Sequence, residues 1–301
     1  MKKKILIISN PGFENGFKQL SRNIEHFSIE VISFKNKLWI GKSTYSRIKF
    51  LKEYDAVHFF WANRKFFDLL MYRIFAGVKI INHFIGSDFY FNIKKKSFRK
   101  LLELKLCSFI SEFLVVGDIL EKEMIKFGYK SQRIDFINQD IKEREISKPR
   151  ENKIVVYLPS DKKKFFRFNQ LVKLANDFPE TKFIWFPFKK EEDLSKNIIQ
   201  YERLAKEQVF EEMETAKIFI RLAEHDGLPN TVIEALNVGC HVIWTFDMPF
   251  VNKIHSYDEL KSDVENLLKK EEINKGGIDY VIEKFNRKKI KEDLLKFYEK
   301  L

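Results

Sequence analysis

Ile218-Phe-Ile-Arg-Leu-Ala-Glu-His-Asp-Gly-Leu-Pro-Asn-Thr-Val-Ile-Glu-Ala-Leu-Asn-Val-Gly-Cys-His-Val-Ile-Trp244 reads as one complete strand, turn, helix and strand. An apolar run over Lys217–Arg221 has the brevity and composition of a buried parallel strand, a polar turn follows at Gly227, and a second apolar run closes the unit at His241–Thr245. Between them Thr231–Val238 keeps a helical period, and Pro229 falls in the first turn, where a missing N–H is tolerated. Such a unit belongs to a doubly wound α/β sheet.

The same alternation extends in both directions. In the first half, strands are expected at Lys4–Ser9, Ile29–Ser33, Ala56–Phe60, Lys79–His83, Phe113–Val116 and Arg133–Ile137, with helices near Phe17–His26, Arg64–Phe75, Lys95–Ser108 and Ile119–Phe127. From Ile141 to Asn152 the text is charged, contains a proline and lacks apolar periodicity, as an exposed linker would. The pattern then restarts with a strand at Ile154–Leu158, a helix at Phe168–Asn176, a strand at Lys182–Phe186 and a charged helix before the quoted segment. At 301 residues the chain exceeds the size of one core, so two tandem units with a cleft are expected. Their bounds are 1–145 and 153–281, followed by an amphipathic helix over 282–301 with Ile290, Leu294, Leu295 and Phe297 toward the core.

Composition removes several classes. With 45% hydrophobic residues and 31 Phe, the chain has ample material for packed cores and does not read as disordered. Its two cysteines, Cys107 and Cys240, lack metal or disulfide spacing and read as small core residues in a reducing compartment. The apolar run Ile5-Leu-Ile-Ile is too short for a signal peptide, and no stretch is long and uncharged enough to span a bilayer, so a cytoplasmic protein is expected. A formal net charge of +12 calls for an anionic partner: nucleic acid, a lipid surface or a phosphorylated small molecule.

The turn after the 217–221 strand leaves N–H groups at a helix start, a place suited to phosphate or sugar oxygens. Asp226 stands at the turn and Glu234 two helical turns on, so both carboxylates can face one cleft and accept hydrogen bonds from a polyhydroxylated ligand. Asp226-Gly227-Leu228-Pro229, then Glu234-Ala235 and Gly239, resembles the hallmark of the retaining GT-B glycosyltransferases of family 4: an acid, seven residues, and a Glu. Asp stands where that family usually has Glu. The resemblance implies a GT-B fold of two Rossmann-like doubly wound parallel-sheet domains facing a cleft. It also implies that Glu234 binds the ribose hydroxyls of a UDP- or GDP-linked sugar, and that Asp226 with the Gly227–Pro229 backbone holds the transferred sugar.

Further residues enter through the same resemblance. Basic residues just after the first strand of the second domain meet the donor diphosphate, which makes Lys162, Lys163, Lys164 and Arg167 candidates, although the family's Gly-Arg pair is absent. Asn82-His83-Phe84-Ile85-Gly86-Ser87-Asp88 resembles an acceptor-side loop that in relatives reads His-Gly-x-Asp. Gly86 and Asp88 match, Ile85 replaces the His, and His83 is either a catalytic imidazole or a satisfied core residue. Asn10-Pro-Gly-Phe-Glu-Asn-Gly16 reads as a loop entering a helix, whose Gly12 and Gly16 would border acceptor or diphosphate. Asn138 sits where relatives carry Asn-Gly, with Gln139 in place of the Gly.

No Asp-x-Asp occurs and the six His have no ligand spacing, so neither metal nor cofactor is expected beyond the nucleotide-sugar itself. The expected reaction is transfer to the hydroxyl of a glycan or lipid-linked acceptor, with retention. Lys94-Lys-Lys-Ser-Phe-Arg-Lys100, followed by Leu101, Leu102, Leu104 and Leu106, also reads as a surface helix able to rest on anionic lipid at the inner membrane face; the alternative is a helix half in the core and half in water. Two competing readings stay open: a GT-B protein with another or lost activity, and a basic nucleic-acid-binding protein, which lacks a recognisable motif for that purpose.

Overall fold

The computed structural model describes residues 2–61, 65–94, 98–138, 141–146 and 148–301, with 91–94 by backbone alone. Arg64, Lys95, Lys96, Ser97 and Gln139, all named above, lie outside the described residues. The chain divides into two compact units: Met1–Asp140 with His225–Leu228 and Arg287–Leu301, and Ile141–Glu224 with Pro229–Asn286.

In unit 1 the chain runs β1 (Lys3–Ser9), α1 (Pro11–Leu20), β2 (Phe27–Ser33), α2 (Thr44–Leu51), β3 (Ala56–Phe60), α3 (Phe66–Met71), β4 (Lys79–Phe84), α4 (Ser87–Lys94), α5 (Phe98–Ile110), β5 (Glu112–Val115), α6 (Gly117–Lys126) and β6 (Gln132–Arg133). Among the described residues these strands form one parallel sheet in the order β2-β1-β3-β4-β5-β6. Ile5, Leu6, Ile7 and Ile8 are all buried, the mark of a strand covered on both faces.

Unit 2 follows with β7 (Glu151–Tyr157), α7 (Phe168–Asp177), β8 (Lys182–Phe186), β9 (Ile198–Gln200), α8 (Lys206–Thr215), β10 (Ala216–Arg221), α9 (Asn230–Asn237), β11 (His241–Trp244), β12 (Val251–Lys253), α10 (Tyr257–Leu268) and α11 (Lys275–Phe285). Its parallel sheet has the order β12-β11-β10-β7-β8-β9. Ile154, Val156, Trp185, Ile218, Ile220 and Ile243 build the core beneath the helices. α12 (Arg287–Glu299) returns to unit 1.

Several boundaries differ from the sequence expectation, each for a local reason. The first helix is Pro11–Leu20 rather than Phe17–His26, because Asn10 caps it by accepting from Gly12 N and Pro11 takes the first helical position. Of the expected strand Arg133–Ile137 only Arg133 lies in the ladder, as the end of β6; Ile134, Phe136 and Ile137 are buried, which gives the segment its strand-like look. The C-terminal segment 282–301 holds the end of one helix, Lys275–Phe285, and a second, Arg287–Glu299, parted at Asn286, whose amide donates to the carbonyls of Ile282 and Glu283.

α12 packs Ile290, Leu294, Phe297 and Tyr298 into unit 1 and brings a hydroxyl to a buried histidine pair. His83 Nε2 donates to the carbonyl of Ile134 at 2.9 Å, so its neutral ring accepts at Nδ1 from His58 Nε2 at 3.1 Å. His58 then accepts at Nδ1 from the Tyr298 hydroxyl at 2.7 Å. Each donor and acceptor of this chain is matched, with both imidazoles neutral.

Candidate functional site

In a doubly wound sheet, ligands sit at the carboxyl ends of the strands where the winding reverses. In unit 2 that reversal lies between β7 and β10, because β8 and β9 continue on one side and β11 and β12 on the other. Tyr157 ends β7 and Arg221 ends β10. The Arg221 guanidinium carbon lies 4.4 Å from the centre of the Tyr157 ring and 5.3 Å from that of Phe166. Its Nη1 is 3.5 Å from Thr231 Oγ1, in the first turn of α9.

Pro229 is the residue just before α9, with an extended ψ of 120°, one position earlier than its sequence placement. The amides of Val232 and Ile233 turn back to its carbonyl at 3.1 and 3.4 Å. Glu234 is 8% exposed on this helix. Asn230 Oδ1, at the helix start, is buried and has no hydrogen-bond partner among the described residues. An acceptor left so calls for a donor hydroxyl or amide from outside.

The basic residues after β7 differ in their surroundings. Lys163 forms an ion pair with Glu191 and sits over the rings of Phe168 and Phe188, at 4.6 and 5.6 Å. Lys162 lies in the short turn Ser160–Lys162. Lys164 and Arg167, the latter in left-handed backbone with φ of 52°, line a pocket of about 540 Å³ with Lys163, Phe168, Asn169 and Gln170.

In unit 1 the winding reverses between β1 and β3. The segment after β1 is helix from Pro11 on, which corrects the loop expected over Asn10–Gly16. A Cβ on Gly16 would lie 2.7 Å from Asn138 Oδ1 and 2.8 Å from Phe136 Cζ, so this glycine lets α1 approach the 136–138 segment. Asn138 Nδ2 donates to the carbonyl of Gly12 at 2.8 Å and fastens the same contact.

After β4 the loop Ile85-Gly86-Ser87 is held by Asp88. Its Oδ1 accepts from the amides of Ile85, Gly86 and Phe89 at 3.0, 3.0 and 3.1 Å, while Gly86 takes φ of +125°. Asp88 is buried and Ser87 half-buried at the start of α4. His83 is 1% exposed with both ring nitrogens engaged, and burial lowers its pKa to about 3. That is the geometry of the satisfied core residue among its two readings.

The turn His225–Leu228 belongs to unit 1. The His225 ring stacks on Tyr90 at 4.1 Å, and its Nε2 is 2.8 Å from Glu123 Oε2. Three glycines meet behind it. A Cβ on Gly227 would lie 2.4 Å from the Ile85 carbonyl oxygen, one on Gly86 2.9 Å from the Gly227 amide, and one on Gly117 3.2 Å from the Gly227 carbonyl oxygen. The Asp226-Gly227 turn is therefore seated on backbone, and half-buried Asp226 leaves it between His225 and Gly227. Gly117, Tyr90, Glu123 and His225 escape sequence reading because their partners are distant in the chain. Arg221 had a local signal, as the one charge at the end of an apolar strand.

Among the described residues no group of three or more His, Cys, Asp or Glu side chains is placed to hold a metal, and no helix is long and apolar enough to cross a membrane.

No protein-family model matches the chain, and no curated protein matches it in sequence. Solved structures do match. The sucrose-phosphate synthase of Thermosynechococcus elongatus superposes with a TM-score of 0.63 at 12% identity, covering 99% of both chains. The N-terminal domain of Candida albicans trehalose-6-phosphate phosphatase gives 0.67 at 9% identity, over 99% of this chain and 97% of that one. The pneumococcal O-GlcNAc transferase GtfA, solved with UDP and GlcNAc, gives 0.55 at 13% identity, over 85% of this chain and 59% of that one. At such identities the likeness speaks for fold: with two parallel Rossmann-like sheets, the chain has the GT-B fold.

Proposed function

We propose that the chain transfers a glycosyl unit from a UDP- or GDP-linked sugar to an acceptor hydroxyl, with retention and without a metal. The observation that carries this reading is the placement of α9. The helix bearing Glu234 starts beside Arg221, at the crevice where sheets of this kind take nucleotides. Glycosyl transfer among neighbours of the same fold, one of them holding UDP, supports it. In this reading Glu234 accepts from the ribose hydroxyls, and Asp226 with the Gly227–Pro229 backbone holds the sugar. Lys164 and Arg167 add positive charge toward the diphosphate. The transition state is oxocarbenium-like, and preorganised donors stabilise the departing diphosphate.

Loss of charged hydrogen bonds should weaken nucleotide binding about tenfold or more in Glu234→Ala. Asp226→Asn keeps shape but not charge and should lower kcat about tenfold or more with little change in nucleotide affinity. Product analysis with a panel of UDP- and GDP-sugars checks both, and undiminished donor turnover in the two variants would refute the assignments.

We propose further that the acceptor is lipid-linked and met at an anionic membrane surface. On α5, Phe98, Leu102, Lys105 and Phe109 fall within about 60° of arc at 100° per residue, and all four are exposed. Arg99, also exposed, flanks them, and no exposed acid lies on this helix. Lys105 Nζ stands 5.7 Å from the Phe109 and Tyr129 rings, so cation and apolar surface are interleaved. Flotation with vesicles containing anionic lipid should carry the protein upward at low salt, less so at high salt, and not with neutral vesicles. Equal flotation by a Phe98→Glu/Phe109→Glu variant would remove α5 from the contact.

A further inference from the structure

We infer that Arg221 binds the diphosphate of the nucleotide donor, filling the place of the Gly-Arg pair that this chain lacks; the inference rests on the nucleotide-sugar reading above. After β7 the backbone continues as Leu158-Pro159, with no guanidinium before Arg167. The neighbouring strand supplies one instead. β10 delivers Arg221 to its carboxyl end, across the winding reversal from Tyr157.

The surroundings suit a phosphate-binding arginine. Tyr157 and Phe166 pack against the guanidinium, which limits the directions in which its N–H groups donate. A planar fork held in this way matches two phosphate oxygens better than a flexible ammonium does. The start of α9 adds the positive end of its dipole on the Thr231 side. Asn230 Oδ1, buried without a partner in the same first turn, marks a place for a donor group of the ligand. Cation and helix start thus meet at one crevice of unit 2, with an orphan acceptor in the same helical turn.

The test compares nucleotides that differ by one phosphate. Titration calorimetry of wild type, Arg221→Met and Glu234→Ala with UDP, UMP and inorganic pyrophosphate, and with GDP and GMP, gives the ratio of diphosphate to monophosphate affinity. Arg221→Met should lose about tenfold or more toward the diphosphate and toward pyrophosphate, with a smaller loss toward the monophosphate, so the ratio collapses. Glu234→Ala should weaken both nucleotides alike, because both carry the ribose. If Arg221→Met does not fold, Arg221→Lys decides, keeping charge but losing the fork, with a ratio below that of the wild type. An unchanged ratio in a folded variant overturns the role of Arg221 alone. Failure of the wild type to bind any of these nucleotides overturns the nucleotide-sugar reading and this inference with it.

Discussion

Arg150→Ala should lower the free energy of unfolding by about 3–5 kcal/mol, since hydrogen bonds to a charged group contribute about 1.5–3 kcal/mol each and water replaces only part of them. Arg150 Nη1 donates to the carbonyls of Met213 and Ala216 at 2.9 and 2.8 Å, and Nη2 donates to the carbonyl of Val238. Met213 lies in the last turn of α8, Ala216 opens β10 and Val238 follows α9. One guanidinium therefore satisfies acceptors that the ends of three elements leave over. Gly239, with φ of +80°, lets it approach, for a Cβ there would lie 3.0 Å from Nη2. Arg150→Lys keeps the charge but cannot reach three acceptors and should lose roughly half as much. Urea unfolding measures both variants. Cys240, whose thiol burial pushes up to about 11, supplies a second readout, as its alkylation should be slow in wild type and faster in Arg150→Ala. A shift under about 1 kcal/mol in Arg150→Ala would show that the clamp carries little.

Acidification should destabilise the protein steeply below about pH 6.5, the ordinary histidine value. Burial holds the His83 pKa down to about 3 and that of His58 well below its usual value, with repulsion from His83 adding to the effect on His58. Above pH 6.5 the folded and unfolded chains both carry neutral rings, and these residues contribute no pH dependence. As the pH falls further, the unfolded chain binds a proton at each imidazole and the folded chain binds none. Stability is then lost at about 1.4 kcal/mol per pH unit for each ring, or about 2.7 for the pair, between pH 6 and 4. Urea unfolding at pH 7, 6, 5 and 4 gives the slope, and His58→Asn should lower it by about one proton's worth. A flat profile from pH 6 to 5 would mean that the rings are protonated in the folded state.

Much of the fold is legible because the core strands are continuous apolar runs between turn signals. Ala56–Phe60 and Lys182–Phe186 stand where the sequence puts them, and both are covered strands. What goes unread is of two kinds. Some signals are local but faint: α10, absent from the sequence reading, begins with Ser256 capping Glu259 N while Glu259 reaches back to His255 N. Asn286 likewise ends one helix with side-chain bonds that no apolar period discloses. Others are not local at all. That Gly227 must be a glycine follows from the carbonyl of Ile85, some 140 residues earlier, and that His83 is a core residue follows from Ile134 and from the His58 ring. The acid pair at 226 and 234 is visible as a spacing, whereas the place of Asn230 beside the winding reversal becomes conspicuous only once the sheet order is known.

The path of the chain has a practical corollary. Residues 225–228 leave unit 2 and rejoin it four residues later, and α12 goes back to the first sheet after unit 2 is complete. A scissors cut at 140/141 and 286/287 would thus yield no faithful halves: the amino-terminal piece would lack the tyrosine that meets His58 and the ring that lies on Tyr90, and the other piece would carry that ring with nothing to lie on. Splitting this protein for separate expression requires keeping 287–301 with the first piece and accepting a graft of four residues, so intact chain is the proper object for binding and unfolding measurements.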